Sequence, residues 1–86
     1  MSDETVGTVW SDDDGLHVDA RGLMPPDPMV AILRQLVKPG QDGPVIAYLD
    51  RDPIYLYPEL AEMGWSVEKR PARPGETCLI LRKSAP

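Results

Sequence analysis

The hydrophobic positions change period along the first half of the chain, and this change predicts a strand followed by a helix. Residues 16–20 alternate strictly and place His17 and Asp19 on the polar side, which is typical of a strand with one wet face. From Pro28 onward the spacing is that of a helix lying on a core, with an apolar stripe of Met29, Ile32, Leu33 and Leu36. Asp27 is placed to cap this helix, and Lys38-Pro39-Gly40 to end it.

The second half of the chain predicts one more helix and three more strands. Residues 44–49 are almost continuously apolar, which favours a strand covered on both sides. A helix is predicted from Asp52-Pro53 to Gly64, although Pro58 leaves open a short turn followed by a later helix. Residues 65–69 alternate, whereas residues 78–81 form an apolar run, so a one-sided strand precedes a covered one.

The resulting order, βαβαββ, predicts an α/β protein of the α+β two-layer sandwich type. The first βαβ unit makes its two strands parallel through a right-handed crossover, and the last two strands form an antiparallel hairpin. With the apolar strands in the middle, we expect a four-stranded mixed sheet in the order 1-2-4-3, with both helices on one face. The other face is expected to be partly open, with contributions from His17, Asp19 and Tyr48.

Negative charge is concentrated at the beginning of the chain. The protein has 14 acidic and 9 basic residues, a net charge of -5, and five of the acids lie within the first fourteen residues. Residues 1–14 are therefore predicted to be a flexible acidic segment, and residues 15–84 the folded domain. The alternative is a hairpin, since residues 5–10 are rich in strand-forming types and Asp14-Gly15 is a turn signal.

Composition excludes several classes of function. Beyond residue 14 acids and bases balance, so the domain lacks the basic surface that nucleic-acid binding requires. Cys78 is the sole cysteine, which rules out an intrachain disulfide or a thiolate metal cluster and fits a reducing cytoplasm. The acidic beginning is unlike a secretory signal, and the apolar runs are too short for a membrane span.

The segment Arg21-Gly22-Leu23-Met24-Pro25-Pro26-Asp27-Pro28 resembles the Arg-Gly-Leu-x-Cys-Pro-x-Pro signature of the TusA-like (SirA-like) sulfur carriers of bacteria. The resemblance covers roughly residues 16–83 and implies the same βαβαββ sandwich. It is strongest to the branch called domain of unknown function 2249, which has Pro-Pro-x-Pro here and often Leu-Tyr-Pro in the second helix, as at residues 56–58.

The chain lacks the cysteine of the carrier signature, and this changes the function that the resemblance implies. The carriers hold a persulfide on a cysteine at the mouth of the first helix, and Pro25 occupies that position here. Proline has no nucleophile, so the sulfur-carrying role does not transfer. The resemblance then implies a fold and a neighbourhood in sulfur or redox metabolism rather than a reaction.

The sequence contains no complete catalytic constellation, and we predict neither an enzyme, nor a cofactor, nor a metal site. We expect instead a non-catalytic module that binds a protein partner or a ligand through the loop and the mouth of the first helix. The residues assigned to this surface are Arg21, Gly22, Met24, Pro25, Pro26 and Asp27. Met24 is expected to be exposed at the loop tip, and Arg21 either binds an anion or holds the loop through backbone carbonyls.

Two alternatives involve other side chains. His17 and Asp19 share one strand face and would suit a partial metal site, an acid/base pair or a sensor of a redox ligand, but a solvent-facing edge strand gives the same pattern. Cys78 would be the nucleophile of a relocated sulfur transfer, but its apolar surroundings favour packing in the core.

Overall fold

The described part of the protein consists of a five-stranded mixed sheet and two helices. The structure, a computed structural model, describes residues 8–24, 27–38, 40 and 43–84. The strands are β1 (Thr8–Asp12), β2 (Gly15–Asp19), β3 (Val45–Leu49), β4 (Trp65–Arg70) and β5 (Thr77–Lys83). The helices are α1 (Asp27–Leu36) and α2 (Leu56–Glu62). Strand order is β1-β2-β3-β5-β4, in which β2 and β3 are parallel and all other neighbours antiparallel.

The predicted α+β architecture is confirmed, but the predicted count of four strands is wrong. The four predicted strands are β2, β3, β4 and β5, and their order in the sheet agrees with 1-2-4-3. The additional strand is β1, which pairs antiparallel with β2. It corresponds to the hairpin alternative, so residues 8–12 are not part of a flexible lead-in, and residues 1–7 lie outside the described residues.

The turn between β1 and β2 explains why this additional strand forms. Asp12 lies opposite Gly15, which leaves Asp13 and Asp14 as a two-residue turn, and the Asp12 carboxylate accepts the Asp14 N–H at 2.8 Å. Gly15 has a φ of 134°, and a Cβ at this position would lie 2.5 Å from the Pro44 carbonyl oxygen. Only glycine fits both the backbone conformation and this close approach of two strands.

Both helices pack on one face of the sheet, as predicted. Alternate residues of the three central strands point to this face and are fully buried, among them Val18, Ala47 and Leu79. They form one apolar cluster with Ile32 of α1 and Leu60 of α2. Since burial of each large aliphatic side chain contributes about 1.5–3 kcal/mol, this layer supplies most of the stability of so small a domain.

Helix α2 begins later than its apolar stripe suggests. The sequence assigns Asp52 as the cap, but α2 starts at Leu56 after a separate turn, and its N-cap residue Tyr55 makes no side-chain capping bond. The Asp52 carboxylate instead accepts the Tyr57 hydroxyl and, at 3.0 Å, the Lys69 ammonium group. This late start explains how Pro58 is tolerated, because it falls in the first helical turn, where no N–H partner is required.

Neither helix in the described part of the chain combines the length and the apolar character that a membrane crossing requires.

Candidate functional site

A groove of about 440 Å³ opens at the carboxyl ends of the parallel strands β2 and β3, beside the start of α1. We call it the helix-mouth groove; its lining includes Leu23, Met29, Leu49, Asp50, Tyr55 and Leu56. Crevices outside the carboxyl ends of parallel strands are a common place for ligands in α/β proteins. The position alone therefore makes this groove a candidate binding site.

Tyr55 of the helix-mouth groove is a large exposed apolar side chain, and so are two neighbours of lining residues, Met24 after Leu23 and Ile54 before Tyr55. Met24 is 76% exposed, which confirms its predicted exposure. Ile54 and Tyr55 are 60% and 79% exposed. Met24 precedes α1, and Ile54 and Tyr55 form the turn that precedes α2. Large apolar side chains left in water beside a groove are typical of a contact surface, since single-chain proteins usually keep exposed apolar patches small.

The loop that carries Met24 is held to the sheet by a backbone contact. The Gly22 N–H donates to the carboxylate of Asp50, which follows β3. Gly22 has a φ of 82°, a left-handed conformation that glycine adopts without strain. Asp27 is the first residue of α1, where its charge complements the helix dipole. Pro25 and Pro26 lie outside the described residues.

Carboxylates outnumber cations at the rim of this groove. Asp50, Arg51 and Asp52 belong to the lining, and Asp27 lies next to the lining residue Pro28. Asp52 is partly compensated by Lys69, as described above, but Asp27 and Asp50 make no ion pair within residues 8–24, 27–38, 40 and 43–84. The rim is therefore acidic around an apolar floor.

Arg21 turns away from the helix-mouth groove, contrary to the loop-holding role that the sequence suggests. Its guanidinium group donates to both carboxylate oxygens of Asp19, at 2.8 and 2.7 Å, and reaches Glu76 at 3.4 Å. It also lies 5.6 Å from the centre of the Tyr48 ring. The hydrogen bonds to Asp19 raise the pKa of Arg21 and lower that of Asp19. Asp19 and Arg21 therefore form a bidentate ion pair at the edge of the other sheet face.

That other face, which neither α1 nor α2 covers, holds a hydrogen-bonded chain of three side chains. His17 is 6% exposed, so its predicted position on a wet edge is wrong. Its Nε2 lies 2.8 Å from the Asp12 carboxylate and its Nδ1 lies 2.7 Å from the Tyr48 hydroxyl. With the ring proton on Nε2, His17 donates to Asp12 and accepts from Tyr48, which satisfies all three groups. The bond from His17 lowers the pKa of Asp12.

Trp10 of β1 covers this chain of side chains. Its ring is parallel to that of His17 within 1°, with centroids 4.9 Å apart, and parallel to that of Tyr48 within 5°. Trp10 and Asp12 alternate on β1 and so point to the same sheet face as His17. The additional strand thus supplies both the cover and one hydrogen-bond partner, which is why His17 is buried.

Cys78 also points to this face and is half-buried, so its predicted packing in the apolar core is wrong. It lies opposite Tyr48 on β3 and opposite Arg70 on β4. Burial raises the pKa of the Cys78 thiol, and burial likewise raises that of the Tyr48 hydroxyl. Both groups are therefore protonated at neutral pH, which is unfavourable for a nucleophile or for a persulfide carrier.

A second groove, of about 470 Å³, runs along this face. We call it the open-face groove; its lining includes His17, Ile46, Tyr48, Arg70, Cys78 and Ile80. It therefore brings together the two side chains, His17 and Cys78, that the sequence proposes as alternatives, while Asp19 lies beside it in the pair with Arg21.

Ligand atoms of Asp12, Asp14 and His17 lie within 4.8 Å of one another, the sole grouping of this kind in the part of the chain that the structure describes. It offers one nitrogen, and transition metals such as zinc bind more strongly to sites with several nitrogen or sulfur ligands. His17 would also have to give up its hydrogen bond to Asp12. This geometry does not favour metal sensing over a structural role for His17.

Sequence reasoning did not assign Trp10, Asp12 or Arg70 to any site. Trp10 and Asp12 are two residues apart, so they point to the same face if this segment is a strand. In a hairpin that pairs Trp10 with His17, this spacing would have placed both side chains beside His17. Arg70 carried no such signal, because its position opposite Cys78 depends on the register of β4 against β5.

Comparisons with known proteins agree with this fold. The crystal structure of a SirA-like protein from Desulfitobacterium hafniense superposes with a TM-score of 0.68 at 22% sequence identity, covering 80% of this chain and 97% of that chain. At that identity the likeness shows a common fold. No curated protein matches the sequence. The family described as uncharacterized conserved protein (DUF2249) matches residues 17–83, which is most of the chain and excludes β1. The chain therefore belongs to the DUF2249 family.

Proposed function

We propose that this chain is a non-catalytic binding module whose helix-mouth groove holds an apolar, basic-flanked segment of a protein partner. The observation that carries the proposal is an apolar groove lined by the exposed Tyr55, with the exposed Met24 and Ile54 next in sequence to lining residues. Burying such side chains against a partner contributes about 25 cal/mol for each Å² removed from water.

The charges at the rim determine the kind of segment that would fit. Apolar side chains of the partner would contact Leu23, Met29 and Tyr55 in the groove. Lysine or arginine residues flanking them would lie near Asp27 and Asp50. Electrostatic complementarity of this type speeds association and discriminates against acidic partners.

The absence of catalysis in this proposal rests on the chemistry of the described side chains. The two groups with nucleophilic potential on the open face, Cys78 and Tyr48, have raised pKa values. Acid/base catalysis would need a group free to exchange a proton with a substrate, whereas both ring nitrogens of His17 are engaged. Following the resemblance to sulfur carriers, the proposal places the partner in the sulfur or redox metabolism of the cytoplasm.

Site-specific photo-cross-linking tests the proposal. The photoreactive amino acid benzoylphenylalanine would replace Tyr55 in the full chain, inside the cells that naturally express it. A matched control would carry it at Val37, which is 68% exposed after the end of α1 and does not line the groove. We expect a discrete cross-linked protein from position 55 and not from position 37.

The variant Met24→Asp sharpens the test. It places a charge next to the lining residue Leu23 and should remove the cross-link from position 55. Because Met24 is mostly exposed, its replacement should change the free energy of unfolding by less than about 0.5 kcal/mol. Equal cross-linking from positions 55 and 37, or cross-linking that survives Met24→Asp, would contradict the proposal.

A further inference from the structure

Two isoleucines lie in the floor of the open-face groove, on the sheet face that neither α1 nor α2 covers. Ile46 of β3 and Ile80 of β5 lie opposite each other and point to this face, and each is 5% exposed. The next pair along the same strands is Tyr48 and Cys78. The floor is thus built from four neighbouring side chains on two hydrogen-bonded strands, which makes it a rigid surface.

Arg70 brings a positive charge to this floor. The other two arginines of this face are neutralised, Arg21 by Asp19 and Arg82 by Glu68 at 2.8 Å. Arg70 makes no ion pair with any residue in the described ranges 8–24, 27–38, 40 and 43–84. It lies opposite Cys78 on the neighbouring strand, and its charge acts on that thiol.

The acidic groups near the groove are either used or distant from Arg70. The Asp12 carboxylate accepts hydrogen bonds from His17 and from the Asp14 N–H. Asp14 lines the groove from the β1–β2 turn, whereas Arg70 is the last residue of β4, at the other edge of the sheet. Arg70 therefore offers a positive charge to the groove, while Glu68, two residues before it on the same face, is engaged by Arg82.

We propose that the open-face groove is a second binding site, which takes a small organic anion whose oxyanion head pairs with Arg70 and whose apolar part lies on Ile46 and Ile80. The volume of about 470 Å³ is within the range of small-molecule sites. A guanidinium group pairs well with planar or tetrahedral oxyanions through two parallel N–H donors, so carboxylates and phosphates share the required chemistry.

A titration followed by NMR of backbone amides tests the proposal on the full chain. Benzoate and phenyl phosphate are the two anionic probes, and benzamide is the neutral control of the same shape. We expect saturable shifts at Ile46, Tyr48, Cys78 and Ile80 with an anion, at a Kd on the order of 1 mM for so small a probe. A tighter fit for benzoate or for phenyl phosphate identifies the head group.

Variants of Arg70 make the test specific. Arg70→Gln should weaken anion binding at least about tenfold, Arg70→Lys should keep part of it, and Arg73→Gln is the matched control outside the groove lining. The proposal is overturned if neither anion gives saturable shifts on this face, if benzamide binds as well as benzoate, or if Arg70→Gln leaves the affinity unchanged.

The thiol of Cys78 gives an independent readout of the same site. Because Cys78 is the sole cysteine, its alkylation by N-ethylmaleimide can be followed by intact mass. A saturating anion should slow alkylation in the unmodified protein and should not slow it in Arg70→Gln. An alkylation rate that the anion leaves unchanged in the unmodified protein would count against occupancy of the groove.

Discussion

The two faces of the sheet are formed by the same strands but differ in what covers them and in the side chains they present. On the helix face, Leu79 and Leu81 are fully buried in an apolar layer between sheet and helices. On the open face, Cys78 and Ile80 of the same strand line a groove among charged and aromatic side chains. The comparison shows that a continuously apolar strand can serve a sealed core and an accessible surface at once.

The largest expected difference between the faces is in the cost of removing an aliphatic side chain. Leu79→Ala should lower the free energy of unfolding by about 4 kcal/mol, since it leaves a closed cavity. Ile80→Ala should cost about 2 kcal/mol, because Ile80 is buried but the space left by the deleted atoms opens into the groove and does not form a closed cavity. Urea unfolding of both variants measures the difference, and equal losses would show that the open face is as sealed as the core.

A second comparison uses one tyrosine hydroxyl of the open-face groove and one that donates to Asp52 in the lining of the helix-mouth groove. Tyr48→Phe leaves Nδ1 of the buried His17 without its partner and should lower the free energy of unfolding by about 1.5 kcal/mol. Tyr57→Phe removes a hydroxyl that donates to the exposed Asp52, which water replaces, and should cost less than about 0.5 kcal/mol. Urea unfolding of both variants is the measurement; a larger loss for Tyr57→Phe would reverse the comparison.

The third and smallest comparison concerns acid. The pKa of Asp12 is lowered by His17 and that of Asp19 by Arg21, both on the open face. A carboxyl with a folded-state pKa below its unfolded value stabilises the fold above the unfolded value, and this stabilisation is lost as pH falls through the folded value. Stability should therefore drop below about pH 4.

Paired substitutions locate the source of this drop. Asp12→Asn with Asp19→Asn should flatten the acid dependence of urea unfolding more than Asp52→Asn does at the helix mouth, where Tyr57 and Lys69 lower the pKa of one carboxyl. If Asp52→Asn flattens it more, the helix mouth and not the open face is the acid-sensitive region.

Most of the helix face could be predicted from the sequence, because the spacing of apolar residues within each segment specifies it. The stripe through Ile32 and Leu36 and the apolar residues 45–49 specify which positions are buried. The start of α2 could not be predicted in the same way. The Asp52-Pro53 pair suits a helix start and also the separate turn that is observed, and the contacts of Asp52 with Tyr57 and Lys69 accompany the turn.

The open face was harder to predict because its chemistry depends on neighbours from other strands. Alternation correctly separates His17 from Val18 but does not show whether the polar side meets water or another strand. In the same way, the run from Cys78 to Leu81 does not show to which sheet face the thiol points, since no polar residue in it marks one face as the wet one. The burial of His17 and the orientation of Cys78 depend on strand register and on the number of strands. The spacing of apolar residues along one segment specifies neither of these.

The additional strand β1 has a further consequence at the margins of the sheet. Without it, β2 would present a row of unpaired N–H and C=O groups, a template on which another chain can add a strand and begin to aggregate. As the new margin, β1 ends in Asp12 and the acidic turn at Asp13 and Asp14, while β4 at the opposite margin exposes Glu68 and Lys69. Negative charge at the β1 margin and charges of both signs at the β4 margin therefore disfavour the addition of another strand at either margin.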